Sequence, residues 1–273
     1  MNVLITGAAG GLGRALSCEC ARRGYRLFLT DVNGPGLSCI CEGIRRQFDA
    51  AVDGAVCDLT DGRDVDAMFS QIDEKGVRFD MLFDVAGVDF EGGFLQQDRE
   101  KIAGIVALND AAALRVAHAA LRRRRTGGRF TLVFVSSLAS LFPMPLKATY
   151  AASKRFLLDF ATALRRELWD ENVRVMALCP GGMATAPQAV QAMQAQGIWG
   201  ELTANPLETV ARRTVSRALR GKALYVPGAL NRALAWLGRL LPRSWVAAAI
   251  YKRWQGAQGR SLPQENPEGA CPS

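Results

Sequence analysis

Histidine is nearly missing from this chain. Its 273 residues include one, His118, with no second ligand type at metal-binding spacing beside it. Seven cysteines are present, and Cys18/Cys20 and Cys39/Cys41 form C-x-C pairs. Neither pair has the spacing or the histidine partners of a zinc site, so no metal is expected. The odd cysteine count reads as reduced thiols in a cytoplasmic protein. No basic leader precedes the first apolar run, Val3-Leu4-Ile5, which argues against a secretory signal. Residues 175–200 carry no charge, but Pro180, Gly181, Gly182 and Pro187 break them up, and no convincing membrane-spanning helix results. Internal repeats and nucleic-acid recognition motifs are also lacking.

What is present is ordinary globular material. The chain is 49% hydrophobic and 22% charged, enough for one large core. Its net charge is +8 and its pI about 9.4, a balance compatible with nucleic acid or an anionic surface. The densest basic run, Arg122-Arg123-Arg124-Arg125, follows an Ala-rich helical pattern. Cations suit a helix C-terminus, and that reading is preferred to a nucleic-acid patch.

Short apolar runs at 3–6, 26–30, 51–57, 81–85, 130–136, 173–178 and 222–226 read as strands. Helical patterns lie between them, among others at 12–23, 65–74, 101–124 and 150–169. Strand–helix alternation predicts an α/β fold with a parallel sheet and helices on both faces. Asn205-Pro206-Leu207-Glu208 predicts a helix start, with Asn205 as cap and Glu208 completing a capping box.

Two motifs carry chemistry. Thr6-Gly7-Ala8-Ala9-Gly10-Gly11-Leu12-Gly13 follows the first strand and opens the first helix. Glycines allow a pyrophosphate to approach the backbone, and the helix N-terminus supplies free N–H groups. Asp31 ends the second strand and can accept from ribose hydroxyls while repelling a 2′-phosphate; NAD is therefore favoured over NADP. It can alternatively cap the turn at Asn33-Gly34. The second motif is Tyr150-Ala151-Ala152-Ser153-Lys154. Its Tyr and Lys fall on one helix face, one turn apart. A free phenol titrates near ~10, and a nearby ammonium favours its ionised form, so the pair is a candidate proton shuttle.

Together these residues resemble the short-chain dehydrogenase/reductase family, in its single-domain branch and near its hydroxysteroid dehydrogenase-like members. The resemblance runs over about residues 1–230 and is carried by the Thr6–Gly13 turn, Asp58-Leu59, Ala86-Gly87, Asn109, Ser136-Ser137, Tyr150 to Lys154, and Pro180-Gly181 followed by Thr185. It implies a Rossmann-type doubly wound sheet of about seven strands. It also implies a catalytic set. Tyr150 is the general acid/base, Lys154 lowers its pKa and holds the nicotinamide ribose, Ser137 (with Ser136 as runner-up) binds the substrate oxygen, and Asn109 holds a relay water. An Asn inside an apolar helix can equally be a bonded core amide. Gly7, Gly11, Leu12, Gly13, Asp31, Asp58, Leu59, Ala86, Gly87, Tyr150, Lys154, Pro180, Gly181, Met183 and Thr185 are implied to contact the dinucleotide. Where the family carries Asn-Asn-Ala-Gly, this chain has Asp84-Val85-Ala86-Gly87, which puts the bracing of the sheet beside the cofactor in question.

The residues after Ser137 are apolar (Leu138, Leu141, Phe142, Pro143, Met144), as are Met193, Ile198 and Trp199 in a Gln/Ala-rich stretch. They either line a pocket or complete the core. The first option implies a lipophilic secondary alcohol or ketone, such as a steroid, fatty or prenoid compound. The alternatives are a 3-oxoacyl reductase acting on carrier-bound chains and a non-catalytic dinucleotide-binding regulator. Residues 1–228 read as the dinucleotide-binding and catalytic domain, 229–254 as its amphipathic helical extension, and 255–273 as a disordered tail. In the extension Leu230, Leu234, Leu237 and Leu241 form one stripe, and Trp245, Val246, Ile250 and Trp254 mix with Arg243, Lys252 and Arg253. Such a segment packs on its own domain, on a partner subunit, or peripherally on a membrane. A homodimer or homotetramer is implied, with no nucleic-acid partner.

Overall fold

The structure, a computed structural model, describes residues 1–183 and 204–258. Seven strands form one sheet: β1 (Asn2–Thr6), β2 (Arg26–Asp31), β3 (Val52–Val56), β4 (Met81–Asp84), β5 (Phe130–Val135), β6 (Val173–Leu178) and β7 (Leu224–Tyr225). Their order is β3-β2-β1-β4-β5-β6-β7, and every pairing is parallel. The chain therefore starts mid-sheet, builds outward to β3, then crosses over to β4 and builds the other way. Between β1 and β4 the winding reverses, which is where such sheets open a crevice beyond their carboxyl ends.

Side chains alternate across the sheet. Leu4, Leu82 and Leu132 face α3 (Gly62–Glu74), α5 (Ala113–Arg122) and α6 (Ala148–Glu167) in one core. Val3, Ile5, Phe83 and Val133 face α1 (Gly11–Arg22), α2 (Gly34–Phe48) and α7 (Leu207–Leu219) in the other. The central strands are buried on both faces, which is why they read as unbroken apolar runs. α4 (Arg99–Val106) runs into α5 through a π-helical turn, Ala107–Ala112. The whole rod, Arg99–Arg122, is long and apolar enough to span a bilayer. One face of it buries Ile105, Val116 and Ala120, while Val106 and Leu114 are exposed.

The arginine run behaves as a helix end. Arg123 bonds Asp73 (2.6 Å), Arg124 bonds Glu171 (2.6 Å) and Arg125 bonds Asp80 (2.7 Å). Beside β3, Cys57 is a packed core residue whose thiol burial pushes up to about 11.

Two local expectations need correction. α7 begins at Leu207, with Pro206 and not Asn205 at its cap. Pro206 is held extended (φ −61°, ψ 125°), which moves Asn205 one position too far out for a capping box; its N–H donates to Gly182 instead (2.9 Å). At the C-terminus, α8 (Ala229–Leu240) and α9 (Arg243–Gln258) flank Pro242. Helix thus continues past residue 254, to Gln258. The leucine stripe splits: Leu230 and Leu234 are half-buried, while Leu237 and Leu241 are exposed. The inward face of α8 is led by Asn231 and Ala235. Thr185, Met193, Ile198, Trp199 and residues 259–273 lie outside the described residues.

Candidate active site

The Gly-rich turn sits at the carboxyl end of β1. Gly7 has φ +62°, and a Cβ there would lie 2.9 Å from the Ala86 backbone. A Cβ on Gly13 would come 2.0 Å from the Gly7 carbonyl oxygen. Both positions are closed to side chains by backbone. The first helical turn carries no acidic residue and no capping side chain, so the N-terminal end of α1 keeps a positive potential that would suit a diphosphate. Asp31 does both things expected of it. One carboxylate oxygen accepts from the Asn33 N–H (2.9 Å), capping that turn, and the other accepts from the Ala9 N–H (2.9 Å), tying β2 to the Gly-rich loop. Its carboxylate thus stands at the rim where a ribose would lie. Sequence reasoning missed Arg14, whose guanidinium reaches the Ala9 carbonyl (3.5 Å) at that same rim. Farther along, Asp58 is exposed and accepts from Thr60, while the Leu59 side chain is buried in the core.

The departure at residues 84–87 has a structural answer. The Thr6 hydroxyl donates to Asp84 (3.0 Å) and accepts from the Val85 and Ala86 N–H groups (2.9 and 3.1 Å). β1 is thereby braced to the end of β4 without the amide that Val85 replaces; Val85 packs into the apolar core. Burial pushes the Asp84 carboxyl up to about 6, against the opposing pull of Thr6 and Lys154.

Gly87 leads into the catalytic cluster. A Cβ there would lie 2.9 Å from both Asn109 Oδ1 and Lys154 Nζ. Asn109, fully buried in the π turn, accepts from the Val88 N–H (2.8 Å) and donates to the Val88 carbonyl and Ser153 Oγ (3.0 Å each). Ser153, which sequence reasoning did not single out, donates on to the Tyr150 carbonyl (2.8 Å). Asn109 is therefore a bonded core amide that holds the loop after β4 against α6. The π turn that presents it had no sequence signature; such turns recur at functional sites.

Tyr150 and Lys154 lie one turn apart on α6. Lys154 Nζ is 5.9 Å from the Tyr150 ring centre and donates to the Val135 carbonyl (3.0 Å). Only 4% of Lys154 is exposed, and burial lowers its pKa against the opposing pull of Asp84, Asp110 and Asp89. The Tyr150 phenol is shifted upward. Burial raises it, Asp89 adds to the rise, and the Ser137 side chain pulls it back. Ser137 caps a short 3₁₀ turn, accepting from the Ala139 N–H (3.1 Å). Ser136 is committed elsewhere, donating to the Lys154 carbonyl (2.7 Å). The Leu138 N–H donates to Pro180 (2.7 Å), fixing the Ser137 loop to the end of β6. Beyond it Gly181 and Met183 are half-buried, with Met183 packed on the core. Lys147 was also missed; it pairs with Asp89 and Glu91 and stands 5.8 Å from the Tyr150 ring centre and 5.6 Å from that of Trp254.

The glycine turn after β1, Asp31, half-buried Tyr150 and buried Lys154 and Asn109 are the groups that a dinucleotide-dependent oxidoreductase would need. The model of the short chain dehydrogenase family matches residues 1–195, and the chain belongs to that family, whose members are oxidoreductases acting on CH–OH groups. The 3-oxoacyl-[acyl-carrier-protein] reductase MabA of Mycobacterium bovis is 26% identical, over 84% of this chain and 89% of that protein. The 3alpha-hydroxysteroid dehydrogenase of Mediterraneibacter gnavus is 28% identical, over 68% of this chain and 77% of that protein. A short-chain dehydrogenase from Sphingobium yanoikuyae, solved with NADPH, superposes with a TM-score of 0.72 at 25% identity, covering 99% of each chain.

Proposed function

We propose that this enzyme interconverts a hydrophobic secondary alcohol and its ketone, with NAD as hydride carrier. The observation that carries the reading is the junction at Gly87, where Asn109 Oδ1 and Lys154 Nζ close on a backbone position beside the glycine cradle. Gly7, Gly11 and Gly13 would hold the diphosphate, Asp31 the adenosine ribose, and Lys154 the second ribose. When bound, the dinucleotide supplies or accepts hydride. Tyr150 donates its proton to the ketone oxygen, or takes the alcohol proton in the reverse direction. Its raised pKa keeps the phenol protonated but makes it a weaker acid, so a further positive charge near the ring, which lowers that pKa, would help the reaction in both directions. Ser137 holds the substrate oxygen. Lys154, fixed by Val135, and Asn109, fixed by Val88 and Ser153, are pre-positioned and need no rearrangement during the reaction.

The substrate class is supported by the half-buried Leu138, Leu141, Phe142 and Met144 beside Ser137. Exposed Val106, Leu114 and Phe156 on α4 to α6 support self-association through those helices. A second reading is favoured by Arg14, whose cation at the ribose rim could meet a 2′-phosphate and would suit an NADPH-dependent 3-oxoacyl reductase. Turnover of hydroxysteroids and fatty secondary alcohols with NAD, compared with 3-oxoacyl thioesters and NADPH, separates the two. Preference for small polyols over lipophilic alcohols would refute the proposed substrate class.

A further inference from the structure

The positive charge of this chain is concentrated at one end. Residues 209–258 contain ten Lys and Arg and no Asp or Glu. Subtracting these ten from the chain's 34 leaves 24 cations against 26 acids elsewhere, so the remainder is slightly acidic. The same stretch contains a surplus of exposed apolar side chains. α8 turns Asn231 and Ala235 inward and presents Trp236 (63% exposed), Leu237 and Leu240 (64%) on its outer side. Leu241 and Trp245 (69%) extend this surface across Pro242 into α9. Large apolar groups this exposed and this clustered mark an interaction surface. Exposed Arg232, Arg243 and Lys252 accompany them.

We propose that the consecutive helices α8 and α9 dock the enzyme on the surface of an anionic lipid bilayer. Indole rings and leucines enter the interfacial layer, and the surrounding cations meet lipid headgroups. A second copy of the chain is disfavoured by the charge. A two-fold interface centred here would set this surface against itself, bringing like charges together with no acid in residues 209–258 to pair them. The self-association proposed above uses α4 to α6 and leaves α8 and α9 uncovered. Docking here also sets the catalytic mouth near the lipid. Gly238 of α8 packs so closely on Phe142 that a Cβ would lie 2.1 Å from its ring. Trp254 of α9 contacts Lys147, which stands over Tyr150. A lipophilic substrate dissolved in the bilayer would then reach the site over a short path.

The test is co-sedimentation of the full chain with vesicles of phosphatidylglycerol and phosphatidylcholine, against vesicles of phosphatidylcholine alone, at low and high salt. Binding should require the anionic lipid and weaken with salt. Arg243→Gln with Lys252→Gln should weaken it about thirtyfold, at about fivefold per cation. Trp236→Ser with Trp245→Ser should abolish it while circular dichroism and NADH binding stay unchanged. Equal binding to neutral vesicles, or no binding at low salt, would overturn the proposal. So would a fall in oligomer mass in the tryptophan variant, which would assign the surface to a second copy. Because neither arm reads turnover, failure here is distinguishable from failure of the proposed reaction.

Discussion

Gly87→Ala is the most informative single change. The added methyl would lie 2.9 Å from Asn109 Oδ1 and from Lys154 Nζ, well inside contact distance. Asn109 cannot retreat without losing bonds to Val88 and Ser153. Lys154 is the softer partner, but its Nζ is bonded to Val135 and buried. Overpacking a filled site costs about 1–3 kcal/mol. For a chain of this size that lowers Tm by roughly 2–12 °C, at about 2–4 °C per kcal/mol. The catalytic cost should be larger than the stability cost suggests, since displacing a positioned group by about 1 Å can cost on the order of a hundredfold in rate. Thermal unfolding by circular dichroism gives the first quantity, and initial rates of NADH formation give the second. In a Lys154→Ala background the stability penalty should shrink, because one of the two clashing atoms is gone. Unchanged Tm and turnover in Gly87→Ala would refute the wedge, and an undiminished penalty in the double variant would refute the part assigned to Lys154.

Other predictions follow from the same geometry. Asp84 has a folded pKa of about 6, above its ordinary 3.8, so its contribution to stability is full at acidic pH and lost as pH rises through about 6, with a ceiling of about 3 kcal/mol. Asp84→Asn should therefore raise Tm at pH 8 and change it little at pH 4; an equal effect at both would contradict the assignment. The gain stays below the ceiling because Lys154 loses a compensating charge. Asn109→Ala removes three buried hydrogen bonds and should cost about 2–4 kcal/mol in denaturant unfolding, with Ser153→Ala costing about 1–2 kcal/mol. Asp31→Ala should raise kcat/KM for NADP relative to NAD, and Arg14→Ala should lower it. Steady-state kinetics with both cofactors checks the pair, and no change in either variant would remove the ribose-rim assignment.

The central strands were legible because parallel strands buried on both faces must be continuously apolar, as β1, β4, β5 and β6 are; the part-exposed edge strands β3 and β7 were legible from their place in the strand–helix alternation. Site residues on short motifs were legible for a related reason: glycines at backbone contacts and a Tyr–Lys pair one turn apart are local patterns. What escaped notice depends on contacts far apart in sequence. Ser153 matters because Asn109 reaches it across 44 residues, and nothing around Ser153 announces that. The Thr6 hydroxyl accepts from the Val85 N–H from 79 residues away. The π turn at 107–112 and the cap at Pro206 are backbone choices that propensity does not determine. Burial of the Tyr150 phenol, which raises it, is a property of the assembled fold that motif spacing does not display.

The central claim is that Tyr150 moves the proton in a nicotinamide-dependent oxidation or reduction. Its most direct test is the ultraviolet absorbance of reduced nicotinamide during incubation with lipophilic secondary alcohols, comparing wild type with Tyr150→Phe at matched NADH affinity. The account predicts turnover in the wild type and its loss by several orders of magnitude in the variant, with NADH still bound. Undiminished turnover in Tyr150→Phe, or NADH binding by the wild type without turnover on any alcohol or ketone tried, would contradict it.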